Sequence, residues 1–352
     1  MEVNKYNIGL SFLRIWMCFE VVICHFKDWN GIQQENMIFP IGILYDFRDI
    51  AVPVFMLLAF SLTDMEKIAQ NNRQIGRRMY RLLVPQLVWS VVYFVIYCLL
   101  DTIYGMDLIK GFSDFWWQLF LGHSINPTTW YQIELILLTV FFTFVFRLAG
   151  KHWGIRIVIA LGIYALYVQY TGINGTLFNN FVWADSFDSG YVTYPVGRFM
   201  EMLPYAVVGI LFCHFNLYKY LGLYKKEVIV FSISLMFIFL RCEVFVEPIG
   251  YGYSGLNKLA LGILMVFLFY YLPFDMLPNI LKNIIKEVSK YTLGIYFIHR
   301  MTGTIIYSSR LQEHLRMRPG SLYDCIVIFG VSLAIIWVIY KIPFKWIKAS
   351  MS

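Results

Sequence analysis

The sequence predicts an all-α polytopic membrane protein of about ten transmembrane helices. Three observations lead there. The 352 residues are 59% hydrophobic and only 14% charged, whereas soluble domains carry about 25% charged residues. Apolar runs of the length a bilayer requires recur from end to end, so residues 1–352 read as a single integral membrane domain with no room for a separate soluble one. The basic residues that give the net charge of +7 gather in the connections between those runs. That is a membrane-flanking pattern, and no nucleic-acid partner is expected.

Taken in order, the runs place spans near 9–26, 47–64, 82–100, 129–149, 153–170, 199–216, 226–243, 256–273, 288–309 and 323–344. The first contains Arg14 and Glu20 and lacks a small-residue cleavage site, so it is expected to stay as a helix and not to be removed as a signal peptide. The second is short and begins with Asp49. Pro53, Pro85 and Pro204 fall within or near the starts of spans, where a missing N–H costs least or a kink is tolerated. The six cysteines lie inside or at the edges of apolar runs without metal-ligand spacing, and they read as reduced packing residues. No metal is expected, and no internal repeat is evident.

Orientation follows from the basic residues. With a cytoplasmic amino terminus and alternating spans, Lys and Arg favour the cytoplasmic side by two to one, which puts both termini inside. Arg310, Arg316 and Arg318 run against that bias.

The first span is the most informative stretch, because a charge near the bilayer centre costs at least about 2.5–3.5 kcal/mol and this span carries Arg14, Glu20 and His25. Arg14 and His25 are eleven residues apart. That is almost three helical turns, so both lie on one face, about 16 Å apart along the axis. On the cytoplasmic side, Arg77, Arg78 and Arg81 cluster just ahead of the third span. Arg78 and Arg81 share a face at i and i+3, and arginine forks suit phosphate groups. A positive-inside anchor accounts for the same residues. Glu134, in the first two turns of the fourth span, lies toward the side where His25 emerges, and a carboxylate there orients an imidazole. His299 sits near the middle of the ninth span. For Glu134 and His299 alike, a structural interhelical hydrogen bond is the competing reading.

The outer connections are aromatic. Residues 105–128 hold Phe112, Phe115, Trp116, Trp117 and His123, with Trp130 just beyond, and residues 171–198 mix Asn, Gly, Asp and aromatics around an Asn174 sequon. Such surfaces suit sugars, and they equally suit an aromatic belt at the membrane interface.

These pieces resemble, in order and over essentially the whole length, the acyltransferase-3 family of integral membrane acyltransferases. Arg14 and His25, with ten residues between them, match its R-x10-H motif. Arg78 and Arg81 followed by Pro85 match its R-x-x-R with a trailing proline. Trp130-Tyr131 opens the fourth span as in the family. Tyr291 through His299, with Gly294 and Tyr296 between, is close to its S-x-x-T-x-G-I-Y-x-x-H. Two departures stand out: Ala59-Phe60 replaces a common Ser-Gly, and Gln132 replaces an aliphatic residue.

The resemblance implies a bacterial glycan O-acetyltransferase-like enzyme of the stand-alone form in the cell membrane. It implies transfer of an acyl group, usually acetyl, from cytoplasmic acyl-CoA (acetyl-CoA) to a hydroxyl of an extracytoplasmic or lipid-linked glycan. On that expectation Arg78 and Arg81, helped by Arg77, hold the CoA phosphates. His25 is the general base, with Arg14 and Glu134 in the catalytic set. Arg14, Tyr296 and His299 compete as donors to the thioester oxygen, with Tyr296, His299 and Trp130 taken as substrate-binding. A non-catalytic transporter or permease for lipid-linked sugars is the rival expectation.

Overall fold

The structure, a computed structural model, describes residues 7–27, 47–122, 125–126, 128–171, 193–245, 256–309, 311–317 and 321–342. The expectations resting on His123, the Asn174 sequon, Arg310 and Arg318 lie outside these residues. Every regular element described is helical. In chain order they include α1 (Ile8–Lys27), α2 (Ala51–Ser61), α3 (Met65–Ala69), α4 (Asn72–Tyr104), α5 (Phe112–Leu121), α6 (Trp130–Thr171) and α7 (Thr193–His214). They continue with α8 (Leu217–Leu221), α9 (Lys225–Phe245), α10 (Leu256–Tyr271), α11 (Asn279–Ser289), α12 (Thr292–Ser308), α13 (Leu311–His314) and α14 (Leu322–Lys341).

Among the described residues, five stretches are long and apolar enough to cross a membrane: Ile8–Phe26, Asn72–Tyr104, Trp130–Tyr167, Leu256–Met276 and Leu322–Lys341. One of them holds two of the spans expected from sequence. The runs 129–149 and 153–170 meet inside α6 at Gly150, whose φ of 68° lies in the left-handed region that only glycine enters without a steric penalty. The next residue, Lys151, is exposed and donates to Glu66 at 3.0 Å. His214 contacts the other oxygen of Glu66.

The chain forms two compact units. The first comprises Met1–Met17, Asp49–Gly76 and Leu137–Ser289. Here Asn7 caps α1, its Oδ1 accepting from the Leu10 amide at 2.9 Å and its Nδ2 donating to the Tyr270 carbonyl at 3.1 Å. Gly9 then lets α1 touch the backbone of α10: a Cβ on it would lie 1.8 Å from the Phe269 carbonyl oxygen. Phe12 and Trp16 continue the seam against the Phe269 ring. Asp49, the polar start of the short second span, faces the buried Lys258 at 3.6 Å, a partner the sequence did not single out.

The second unit comprises Cys18–Arg48, Arg77–Ile136 and Lys290–Ser352. Val22, Ile23 and Phe26 of α1 pack with Ile306 of α12 and with Cys325 and Ile328 of α14. This unit carries all of the expected site residues except Arg14, which lies in the first.

Candidate active site

α1 is one unbroken helix through Arg14, Glu20 and His25, so the shared face of Arg14 and His25 holds. Glu20 is fully buried, and Arg14 and His25 are half-buried. The group placed against His25 comes from α12. The His25 and His299 rings lie 5.3 Å apart, centroid to centroid, tilted by 32°. Phe26 and Tyr296 each add an aromatic contact to His299.

His299 has a defined hydrogen-bond polarity. Its Nδ1 lies 2.7 Å from the Tyr296 carbonyl oxygen and 3.2 Å from that of Ile295. Carbonyls only accept, so Nδ1 carries the hydrogen, and Nε2 of the neutral ring presents a lone pair. That Nε2 is buried and has no hydrogen-bond partner among the described residues. The arrangement does not suit His299 as a donor to a thioester oxygen; Nε2 is built to accept.

The backbone around His299 is held from outside its helix. The Tyr93 hydroxyl of α4 donates to the Phe297 carbonyl at 2.6 Å and accepts from the Met301 amide at 3.2 Å. These two groups make up one i, i+4 rung of α12. Asn126 Nδ2 also donates to the Phe297 carbonyl, at 3.3 Å. Asn126 is itself fixed by α5, where Gln118 Oε1 accepts from its amide at 2.7 Å and Gln118 Nε2 donates to its carbonyl at 3.2 Å. Gln86 of α4 closes the set by donating to the Gln118 carbonyl at 2.8 Å. Removing the Tyr93 hydroxyl deletes two buried hydrogen bonds, each contributing about 0.5–1.5 kcal/mol. Tyr93→Phe is therefore expected to lower stability by about the sum of the two, measured as a lower apparent Tm in detergent, with a smaller loss for Tyr97→Phe.

Sequence reasoning missed this network entirely. Its signal is the run Asn126-Pro127-Thr128-Thr129, polar yet buried at each described position, just ahead of an apolar helix. The departure at Gln132 is explained by the same region. Pro85 lies in the interior of α4, and beside it Gln132 Nε2 donates to the Leu82 carbonyl at 2.8 Å, a bond no aliphatic side chain can make.

The remaining expected site residues are placed as follows. Tyr296 gives its one O–H to the Thr128 carbonyl, so as a donor to an oxyanion it is already committed. Trp130 is only 6% exposed because α6 starts there with a wholly buried first turn; it is not an open platform for a sugar. Glu134 is buried on the second turn of α6. The three arginines lie on α4, as the i, i+3 spacing of Arg78 and Arg81 expects, because the helix begins at Asn72, ahead of the apolar span expected from 82. Asn71 accounts for the earlier start: its Oδ1 accepts from the amides of Arg73 at 3.0 Å and Gln74 at 3.2 Å, an N-cap arrangement. Arg77 and Arg81 are exposed, and Arg78 is half-buried with its Nη2 enclosed by protein.

The histidine pair of α1 and α12 and the arginines near the start of α4 thus lie in one compact unit. No curated protein and no solved structure matches the chain. The sequence model of the acyltransferase-3 family, described as an acyltransferase domain, matches residues 7–341, nearly the whole chain, and with the helical membrane fold this shows that the chain belongs to the acyltransferase-3 family.

Proposed function

We propose that the chain moves an acyl group, acetyl in the simplest case, from cytoplasmic acyl-CoA to a hydroxyl of an extracytoplasmic or lipid-linked glycan, with His25 as general base. The observation that carries this reading is the pairing of the half-buried His25 with the buried, acceptor-oriented His299. A general base needs one nitrogen available to the reacting hydroxyl and the other held. In this reading the His25 N–H turns to His299 Nε2, which is oriented to accept but takes no hydrogen bond from the described residues in the structure itself, and the opposite lone pair of His25 is then aimed at the substrate. Glu134 is the further group in this reading that favours the imidazolium formed during the reaction.

In the reaction, the unprotonated nitrogen of His25 takes the proton from the acceptor hydroxyl as its oxygen attacks the thioester carbonyl. The C–S bond then breaks, and CoA departs with the proton that His25 returns. The charge that collects on the carbonyl oxygen needs a donor. With the Tyr296 hydroxyl committed and His299 oriented as an acceptor, that donor is not one of these two, and Arg14, about 16 Å from His25 along α1, lines the path of the donor's arm in this reading.

The donor's phosphates are assigned to Arg78 and Arg81, with Arg77 beside them. The planar Arg forks suit a polyphosphate, which can take two parallel hydrogen bonds from each. In this reading the amino end of α4 faces the cytoplasm, and both chain termini are proposed to lie on that side of the cell membrane. Labelled acetyl-CoA supplied to membranes tests the assignment. The double variant Arg78→Ala, Arg81→Ala is expected to raise the KM for acyl-CoA by on the order of 10–100-fold, since charge-assisted bonds contribute about 1.5–3 kcal/mol, with little change in the KM for acceptor. Transport of a glycan without any dependence on acyl-CoA would instead support the carrier reading.

A further inference from the structure

α11 is unlike the other helices. Over Leu277 to Val288 its apolar residues fall at 277, 280, 281, 284, 285 and 288, the i, i+3, i+4, i+7, i+8 spacing of a one-sided helix. Lys282 and Lys286 occupy the opposite arc, with Lys290 next to the helix end and Glu287 as the one acid of the helix. No residue of α11 is buried. Ile280 is 74% and Ile284 52% exposed, and Met276, just before the helix, is 83% exposed. An apolar stripe left this open has to be covered by something.

Its position says by what. The membrane-length stretch Leu256–Met276 ends three residues before Asn279, so α11 begins at a bilayer boundary. The link is also short and tied: Lys282 Nζ donates to the Asp275 carbonyl at 2.9 Å. A helix of about 16 Å with an apolar arc below and lysines above has the form of an interfacial helix. Lysines at a membrane surface attract anionic headgroups.

We propose that α11 is an anionic-phospholipid docking surface, lying in the headgroup plane with Ile280, Leu281 and Ile284 in the acyl boundary and Lys282 and Lys286 on lipid phosphates. This goes beyond the acyl-transfer reading and does not depend on it. Hydrogen–deuterium exchange of the full chain tests it, with the protein in nanodiscs of phosphatidylcholine alone or with phosphatidylglycerol added. Amides 279–289 are expected to exchange on the order of tenfold more slowly with the anionic lipid, while α12 amides, as an internal reference, do not change. Lys282→Glu with Lys286→Glu should abolish the lipid difference, and Ile284→Asp should speed exchange in both lipids. Equal exchange of wild-type α11 in the two lipids overturns the proposal without recourse to any variant. So does protection that tracks the number of protein copies per disc, because the stripe is then covered by a second chain.

Discussion

His25→Ala is expected to lower acyl transfer by about 10²–10⁴-fold, the usual contribution of a positioned general base, while acyl-CoA still binds. The separation of the two readouts matters, since a misfolded chain loses both. His25 is half-buried near the end of a helix that runs on unbroken to Lys27, so truncating it removes an imidazole and little of the packing. His299 offers the sharper comparison. Its Nδ1 is held by backbone carbonyls of its own helix, and its ring lies against that of His25 with Nε2 left as a buried acceptor. Glutamine at this position can present an amide oxygen near the Nε2 position, and leucine cannot. His299→Gln is therefore expected to keep clearly more activity than His299→Leu, and the loss should fall on kcat and not on the KM for acyl-CoA. Equal activity of the two variants would remove His299 from the orienting role. Full activity of a membrane-inserted His25→Ala chain would remove His25 as the base.

The largest expected effect on stability comes from a single methyl group at Gly9. A Cβ there would sit 1.8 Å from the Phe269 carbonyl oxygen, 2.9 Å from its carbon and 3.0 Å from a ring carbon of Phe274. Two of these three atoms are backbone, and a helical carbonyl cannot rotate aside as a side chain can. Gly9→Ala must push α1 away from α10 by more than an ångström, along a seam that includes the stacked Phe12 and Phe269 rings. Overpacking of this kind costs about 1–3 kcal/mol, occasionally more, and Gly9 belongs at the upper end because the backbone cannot yield. The apparent Tm in detergent should fall well below that of the wild type. An unchanged Tm would show that α1 and α10 do not meet at Gly9.

Much of the site was legible in the sequence because intramembrane charge is costly and therefore conspicuous. Arg14, Glu20, His25 and His299 all stood out as polar residues in apolar runs, and the helical period alone put Arg14 and His25 on one face. What periodicity cannot reach is the meeting of two helices. His25 and His299 are far apart in the chain, so their pairing, and with it the acceptor polarity of His299, emerged only from the fold. The same limit hid the links from Tyr93 and Asn126 to the Phe297 carbonyl, because an isolated Tyr in an apolar span resembles ordinary packing. The start of α4 was missed for a different reason. Hydropathy marks where a helix becomes apolar and not where it begins, and Arg77, Arg78 and Arg81 lie in the polar turns between those two points. The Asn71 cap was the local signal that could have moved the boundary back. In α6, a positive-φ glycine followed by Lys151 is the chemistry expected where two predicted spans adjoin.

The hydroxyl of Tyr93, set into a rung of α12, also constrains how any cycle of opening and closing can run. A helix gripped at Phe297 and Met301 by a side chain from α4, and at Phe297 by Asn126 as well, cannot turn or slide there without losing several buried bonds at once. α12 is thereby anchored from outside on both sides of His299, so the backbone that carries this ring is held by α4 and by the Asn126 turn as well as by its own helix.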